Sequence, residues 1–116
     1  MLRKDSTDSF SSQSSEGNLH SRVRMTFLYG EAFNSGSLVM GTSNKSELLV
    51  GYYTKWGDGA SDFLPMGDLY KSQVYTLAKL LGVPTEILER IPTAELWDGQ
   101  SDEEELGMIF TFFVLE

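Results

Sequence analysis

Residues 38–47 of this 116-residue chain read Leu38-Val39-Met40-Gly41-Thr42-Ser43-Asn44-Lys45-Ser46-Glu47. The apolar run Leu38–Met40 predicts a buried strand, and the glycine followed by hydroxyl and amide side chains predicts a turn. A brief apolar run with helical potential and the long polar loop Tyr53–Met66 come next. Because α/β enzymes place ligand-binding groups at the carboxyl ends of their strands, this order predicts an α/β fold with a site at the turn.

The composition of the chain limits the class of protein. With 41% hydrophobic residues, 116 residues are enough for one small domain. The net charge of −8 argues against a nucleic-acid partner. The sequence has no cysteine and one histidine, which excludes disulfides, a thiol nucleophile and a polyhistidine metal site. Because no apolar run approaches the ~20 residues that cross a bilayer and no secretory signal is visible, we expect a cytoplasmic protein without a membrane partner.

The beginning of the chain is predicted to be a disordered serine-rich tail over residues 1–16. This tail contains many serines and little besides Phe10 to bury, so it cannot offset the entropy lost on ordering. Order is expected to begin near Asn18, a suitable N-cap. A helix is predicted over Leu19–Phe33, because apolar residues recur there at spacings of three and four.

Three charged residues near predicted helix starts can each be explained in two ways. A helix is predicted over Asp68–Leu81, with Asp68 as its N-cap. Arg22 lies early in the first helix and Lys71 lies in the first turn of this one, where the helix dipole disfavours cations. Arg22 is either a solvated surface residue or one with some other role. Lys71 is either a surface residue or a phosphate ligand, since a lysine and backbone N–H groups at a helix N-terminus bind phosphate together. Glu47 follows Asn44 by three residues, so it is either the acid of a capping box or a ligand.

The polar loop places Asp58 between two glycines, which allow the chain to turn tightly around it. The nearby Asp62 and Asp68 suggest a calcium-binding loop. The spacing argues against one, because the twelfth position counted from Asp58 is Leu69 instead of the bidentate glutamate. An EF-hand is therefore not predicted.

The remaining residues predict shorter elements. Gly82 is expected to end the preceding helix, and Pro84 to lie in the first turn of another short helix. The acidic run Asp98–Glu105 predicts a solvated face, with a last helix ending at Leu106. The apolar end, Met108–Leu115, needs a partner to cover it.

Several blocks of sequence, in the same order and in register, resemble the NAD synthetase family. They are Gly17-Asn18 with Arg22-Val23-Arg24-Met25, Val39–Glu47, Gly51–Gly59, Asp62–Pro65, Leu69–Val74, Pro92–Trp97, Gly99–Glu103 and Glu105–Gly107. The resemblance implies that residues 17–116 are the C-terminal part of an NAD synthetase domain. Its implied fold is a partial Rossmann-like α/β domain of the adenine nucleotide alpha hydrolase, or ATP-pyrophosphatase, type that lacks its N-terminal half.

The resemblance also implies a function. It implies a ligase of NAD biosynthesis that converts deamido-NAD, ATP and ammonia to NAD, AMP and pyrophosphate through an adenylated intermediate. Mg²⁺ is the implied cofactor, ATP a co-substrate, and the complete family member a homodimer. The implied roles are Glu47 as the metal ligand, Thr42, Lys71 and Thr93 for ATP, Arg22, Lys55 and Asp62 for deamido-NAD, and Asp58 as the catalytic residue beside the nicotinate.

One departure from the family pattern limits this interpretation. The family's Ser-Gly-Gly-x-Asp-Ser loop, which grips pyrophosphate, does not occur in these 116 residues. Glutaminase machinery is absent as well. We therefore expect an incomplete chain that is inactive alone. The alternative is a non-catalytic nucleotide-binding or dimerisation fragment that pairs with a full-length subunit. A related ATP-pyrophosphatase such as GMP synthetase is a more distant alternative. The run Tyr53–Gly59 argues against it.

Overall fold

The computed structural model describes residues 8–93, 96, 99 and 100, with side chains from residue 14 onward. Its helices are α1 (Asp8–Ser35), α2 (Lys45–Val50), α3 (Lys71–Leu80) and α4 (Thr85–Leu88). In this part of the chain, no helix is both long enough and apolar enough to cross a bilayer. The predictions for residues 1–7, for the acidic residues of the run Asp98–Glu105, for the last helix and for the apolar end lie outside the described residues.

Helix α1 is longer than the sequence predicted. It has 28 residues and begins at Asp8, so the serine-rich tail is helical from that residue. Asn18, the expected N-cap, therefore lies inside the helix and that cap prediction is wrong. The physical reason is that an established helix gains one hydrogen bond for each residue added, and no proline interrupts the stretch. The domain boundary at residue 17 stays a prediction.

The face of α1 that packs is not its apolar stripe. Leu19, Val23 and Phe27, whose spacing predicted the helix, are 57%, 45% and 72% exposed. From residue 14 to the end of this helix, the buried positions are small residues, Gly17 and Ser21. Small residues let the loop after Tyr53 approach the helix backbone closely, whereas the large apolar side chains point away from the described residues.

The segment Leu38–Met40 pairs as predicted for a strand, but only over one parallel bridge, between Met40 and Phe63. Backbone hydrogen bonds run from Gly41 N to Phe63 O and from Asp62 N to Val39 O, both at 2.9 Å. A strand requires repeated pairing along its length, and the paired segment, Asp62–Phe63, supplies only these two backbone bonds. The described residues are therefore mostly helical, and a regular strand is not formed among them.

The ends of α2 and α3 test the predicted helix signals. Asn44 caps α2 as predicted, and Gly82 follows α3 in the left-handed conformation (φ 74°) that favours glycine. The predicted cap of α3 at Asp68 is wrong, because the helix begins at Lys71 with Tyr70 as its N-cap. Asp68 instead accepts a hydrogen bond from the Lys45 ammonium at 3.2 Å. The short helix after Pro84 is present as α4, with the proline at its N-cap.

The buried side chains of the described residues are mostly polar. One hydrophobic side chain, Val39 at 8% exposure, belongs to this buried set. The polar members are Ser21, Ser43, Asn44, Ser46 and Thr54. Each buried side-chain nitrogen or oxygen in the described region has a hydrogen-bond partner. Hydrogen bonds between α1, the turn after Met40 and the polar loop therefore fix this part of the structure more than apolar packing does.

Candidate functional site

A cavity of about 800 Å³ lies between α1, the turn after Met40, α2, the polar loop and the residues that follow α4. Five of the predicted site residues line this cavity: Thr42, Glu47, Asp58, Lys71 and Thr93. Helix α1 contributes a face with spacings of three and four residues, formed by Ser14, Asn18, Ser21, Met25 and Leu28. Residues that are far apart in the sequence therefore meet around one space large enough for a nucleotide.

Glu47 has a capping role and also faces the cavity. Its Oε2 accepts a hydrogen bond from the Asn44 backbone N–H at 2.9 Å, and the Asn44 side chain accepts one from Glu47 N at 3.1 Å. Its Oε1 lies 2.7 Å from the Lys71 ammonium. The two side chains of this pair are 15% and 16% exposed. The capping box and the ion pair fix the carboxylate at the cavity wall, so the two explanations offered by the sequence are compatible.

Lys71 is positioned by contacts between the starts of α2 and α3. Its backbone N–H donates to the Ser46 hydroxyl at 3.1 Å, and Ser46 is 1% exposed. A second bond runs from Lys45 N to Leu69 O at 2.8 Å. The first turn of α3 is therefore held against that of α2, which places the lysine opposite Glu47. Nothing in the spacing of the sequence singled out Ser46 for this role.

Asp58 is held by hydrogen bonds from α1 and from its own loop. Its Oδ1 accepts from the Ser21 hydroxyl and from Thr54 N, each at 2.9 Å. The Asp58 backbone N–H donates back to the Ser21 oxygen at 2.9 Å. Thr54 also donates its hydroxyl to the Asn18 side chain at 2.7 Å. Two residues of α1 thus fix the loop that carries the predicted catalytic carboxylate.

Close packing at Gly57 makes these bonds possible. A β-carbon at this position would overlap the Ser21 hydroxyl and would come within 2.8 Å of the Thr54 methyl group. The neighbouring Trp56 has a φ of 63°, an unusual conformation for a bulky residue. The glycines around Asp58 were predicted to permit a tight turn. At Gly57, the residue must be glycine because a β-carbon would collide with Ser21 of α1.

Replacing Gly57 with alanine is expected to lower the stability of the chain by about 1–3 kcal/mol, because the added methyl group forces Ser21 and the loop apart. The matched control is Gly30→Ala in α1, where an added β-carbon meets open space. That change is expected to stabilise the helix by about 0.5–1 kcal/mol. Unfolding of both variants and the parent chain, followed by circular dichroism, measures the difference. A Gly57→Ala chain as stable as the parent would contradict the close-packing argument.

The three residues predicted to contact deamido-NAD do not line this cavity. The Arg22 Nε–H donates to the Lys55 backbone carbonyl at 3.1 Å, so these two residues lie next to each other, and both are exposed. The Lys55 ammonium lies 5.4 Å from the centre of the Trp56 ring. Asp62 accepts a hydrogen bond from Val39 N at 2.7 Å, which stabilises the parallel bridge. Their proposed substrate contacts stay predictions.

Two ionisable groups next to acidic side chains are perturbed. Partial desolvation, together with the neighbouring Asp62 carboxylate, raises the pKa of the Tyr29 hydroxyl. The hydrogen bond and the charge of Asp68 raise the pKa of the Lys45 ammonium. Tyr29 therefore stays protonated and Lys45 stays charged in the neutral pH range, and neither is suited to act as a base there.

Metal ligands are sparse in the part of the chain that the structure describes. Histidine, aspartate and glutamate side chains in this part form no group of three that could enclose a cation. Glu47 therefore offers one carboxylate to a cation, and the described residues do not surround it with two more ligands of these types. Mg²⁺ is commonly bound by one or two carboxylates together with the phosphates of a substrate, so this residue fits such a site only when nucleotide is present.

Several cavity residues were not predicted as functional from the sequence. Ser21, Arg24 and Tyr75 line the cavity, and Asn18 was assigned to a cap. The signal that could have indicated Ser21 is its spacing of four from Gly17, which puts two small residues on one face of a helix. Arg24 is the second arginine of the Arg22-Val23-Arg24 block, and the structure places it on the cavity side of α1, unlike Arg22.

Comparison with known proteins gives consistent results. The protein-family model described as NAD synthase matches residues 2–113 of this chain. The NH₃-dependent NAD⁺ synthetase of Thermococcus kodakarensis is 57% identical over 94 residues, and that of Archaeoglobus fulgidus 56% over 99 residues. These matches cover 81% and 85% of this chain. The chain spans 37% and 40% of the length of these two curated relatives.

Solved structures give the same family. The NMN synthetase from Francisella tularensis superposes with a TM-score of 0.82 at 47% identity, over 90% of this chain and 44% of that protein. The NH₃-dependent NAD synthetase from Campylobacter jejuni, in complex with nitrate, has a TM-score of 0.63 at 47% identity. This match covers 70% of this chain and 38% of that protein. Because the family match extends over nearly the whole sequence, this chain belongs to the NAD synthase family.

Proposed function

We propose that this chain supplies part of an ammonia-dependent NAD synthetase, a ligase that converts deamido-NAD, ATP and ammonia to NAD, AMP and pyrophosphate. The observation that carries the proposal is the gathering of five predicted site residues around one cavity of about 800 Å³. The named relatives are synthetases, and they do not favour the alternative of a non-catalytic binding fragment. The proposed fold of the complete enzyme is the Rossmann-like α/β domain implied by the sequence.

In the first step, the nicotinate carboxylate attacks the α-phosphate of ATP, the bond to the β-phosphate oxygen breaks, and pyrophosphate leaves. Lys71 faces the cavity and would bind the phosphates, while the hydroxyls of Thr42 and Thr93 would orient the nucleotide without adding charge. The ion pair of Lys71 with Glu47 must rearrange when phosphates bind, because the anions compete for the same ammonium. When bound to Glu47 and the phosphates, Mg²⁺ would supply Lewis-acid stabilisation of the leaving group.

In the second step, ammonia attacks the carbonyl carbon of the adenylate. The new C–N bond forms, the C–O bond to AMP breaks with its electron pair, and one proton of the nitrogen is released. Asp58 would orient the incoming nitrogen and accept that proton. Its Oδ1 is bonded to Ser21 and Thr54. Its Oδ2 makes no hydrogen bond to the described residues, so this oxygen can face the nitrogen.

The proposed contacts to deamido-NAD place a second anion-binding group outside the cavity. Arg22 donates to the backbone carbonyl of Lys55, so both residues stand at one place on the surface, and their cationic side chains would act together on one phosphate or carboxylate. The apolar side chains that α1 exposes, including Leu19 and Phe27, support the homodimer proposed for the complete enzyme. Proximity of this surface to Arg22 would put a dimer contact beside the dinucleotide.

A second candidate substrate follows from the structural comparison. The Francisella tularensis protein is named an NMN synthetase, and it superposes on this chain with a higher TM-score than the Campylobacter jejuni NAD synthetase at equal identity, 0.82 against 0.63. The same two steps on nicotinate mononucleotide would give NMN. Deamido-NAD and nicotinate mononucleotide should therefore both be assayed. The ratio of their kcat/KM values decides which substrate the site prefers.

The proposal predicts activity only when the missing phosphate-gripping loop is supplied. We expect no NAD formation by the 116-residue chain alone with deamido-NAD, ATP, Mg²⁺ and ammonium. We expect NAD formation when the chain is mixed with the segment of the Campylobacter jejuni synthetase that it does not match, termed here the complementing segment. The measurement is chromatographic detection of NAD and pyrophosphate.

The matched control for this assay is the Campylobacter jejuni enzyme itself, divided at the same point and mixed again. If the divided relative recovers activity and the folded chain does not, the proposed function is wrong. NAD formation by the chain alone would contradict the expectation that the Ser-Gly-Gly-x-Asp-Ser loop is required.

A further inference from the structure

We propose that Ser21 is a positioning residue for the ammonia step, because it fixes which oxygen of Asp58 faces the reacting nitrogen. The inference rests on the proposed function and adds to it a residue that does not touch substrate. It starts from the reciprocal hydrogen bonds between the two residues. The Ser21 hydroxyl donates to Asp58 Oδ1 at 2.9 Å and accepts from Asp58 N at 2.9 Å.

Burial of its two hydrogen-bond donors restricts the anchored oxygen of Asp58. Ser21 is 7% exposed and belongs to α1, and Thr54, which also donates to Asp58 Oδ1, is 7% exposed. A hydrogen bond shielded from water is stronger than an exposed one, and a side chain on a helix is positioned more precisely than one on a loop. Asp58 itself is exposed toward the cavity. The backbone N–H and the Oδ1 of Asp58 are thus anchored, while its Oδ2 stays accessible.

Two donors on Oδ1 leave the other oxygen for chemistry. Within the described part of the chain, the hydrogen bonds of the Asp58 carboxylate all end on Oδ1. When ammonia attacks the adenylate, the C–N bond forms, AMP leaves with the C–O electron pair, and a proton of the nitrogen passes to Oδ2. Without Ser21, the carboxylate keeps only its bond from Thr54 N and can rotate, so Oδ2 faces the nitrogen for a smaller part of the time.

The helix holds the loop at a second point beside this contact. Thr54 donates its hydroxyl to Asn18, one turn before Ser21, at 2.7 Å. Gly57 permits the approach, since a β-carbon there would overlap the Ser21 hydroxyl. Ser21→Ala is therefore expected to leave the loop in place through Asn18 and Thr54, and to change mainly the orientation of the carboxylate.

The test uses the complete 116-residue chain with the complementing segment and separates the two steps. Pyrophosphate release without ammonium reports adenylation, and the kcat/KM for ammonium reports the second step. We expect Ser21→Ala to lower the kcat/KM for ammonium by about 10- to 100-fold, the range typical of a misplaced catalytic group, while pyrophosphate release is nearly unchanged. Ser35→Ala on the same helix, whose hydroxyl bonds the Glu31 carbonyl, is the control and should change neither step.

A second measurement distinguishes positioning from general destabilisation. In an Asp58→Asn chain, adding Ser21→Ala should cause no further loss in the ammonium step, because the carboxylate that Ser21 positions is gone. If Ser21→Ala does not fold, Ser21→Cys keeps a side chain of similar shape with much weaker hydrogen bonds and carries the same expectation.

The possible results separate this inference from the proposed function. Failure of the unmutated mixture to form NAD, with the divided relative active, overturns both. An active mixture in which Ser21→Ala has an unchanged kcat/KM for ammonium overturns the role of Ser21 alone. Equal losses in both steps, or a full additional loss in the Asp58→Asn chain, also overturn it, because they indicate a structural effect.

Discussion

Replacing Asp58 with asparagine is expected to slow the ammonia step by about 10²–10⁴-fold, the contribution typical of a positioned acid–base group. The asparagine oxygen can still accept the hydrogen bonds from Ser21 and Thr54 N, so the loop should keep its conformation. The negative charge and the second carboxylate oxygen are lost. Pyrophosphate release in the absence of ammonium should therefore stay close to that of the unmutated mixture. The measurement is the rate of each step with the complementing segment present.

Asp68→Asn provides the matched control for this prediction. Asp68 is an exposed carboxylate that pairs with Lys45 at 3.2 Å, and its side chain is 98% exposed. Exposed ion pairs contribute little to stability, so the control should behave like the unmutated chain. Comparable rates for Asp58→Asn and Asp68→Asn in the ammonia step would show that Asp58 is not the catalytic carboxylate.

Replacing Lys71 with methionine is expected to reduce pyrophosphate release by about 10²–10³-fold, because a preorganised cation that faces the phosphates is removed. The same change leaves Glu47, whose side chain is 15% exposed, with no cation beside it. Loss of one partner from such a pair is expected to cost about 1–3 kcal/mol of stability. Rates in the complemented assay and unfolding of the chain alone measure the two effects separately.

A double variant separates the binding role of Lys71 from its structural role. In Glu47→Gln with Lys71→Met, no uncompensated carboxylate remains, so most of the lost stability should return while the activity stays low. Lys79→Ala is the control, since Lys79 lies in the last turn of the same helix and is exposed. Recovery of activity together with stability in the double variant would mean that Lys71 acts only through the fold.

Local sequence signals predicted α2 and α3 well, with errors of a few residues. The capping box of Asn44 and Glu47 and the left-handed Gly82 involve only neighbouring residues, so the sequence contains all the information that decides them. The cap at Asp68 was wrong, since α3 begins at Lys71, whose backbone N–H donates to the Ser46 hydroxyl, 25 positions away. A long-range hydrogen bond of that kind cannot be read from local spacing.

The packing of α1 shows where periodicity is misleading. The apolar spacing correctly predicted a helix, but the buried face is that of Gly17 and Ser21, and Leu19 and Phe27 are exposed. The reason is the tight polar loop, which approaches α1 only where the helix has small side chains. Burial of apolar residues is a good guide to the packed face when an apolar core lies beneath the helix. In the described residues, hydrogen bonds to the polar loop lie beneath α1 in place of such a core.

The sequence alone determined the family, the presence of the helices though not where two of them begin, and the identity of the residues that can do chemistry, because motifs, caps and periodicity depend on residue type and short spacing. The gathering of Thr42, Glu47, Asp58, Lys71 and Thr93 around one cavity came only from the tertiary structure. So did the contact of Ser21 with Asp58, 37 residues apart. Such contacts depend on how α1, the turn and the loop are oriented in space, and no local spacing encodes that orientation.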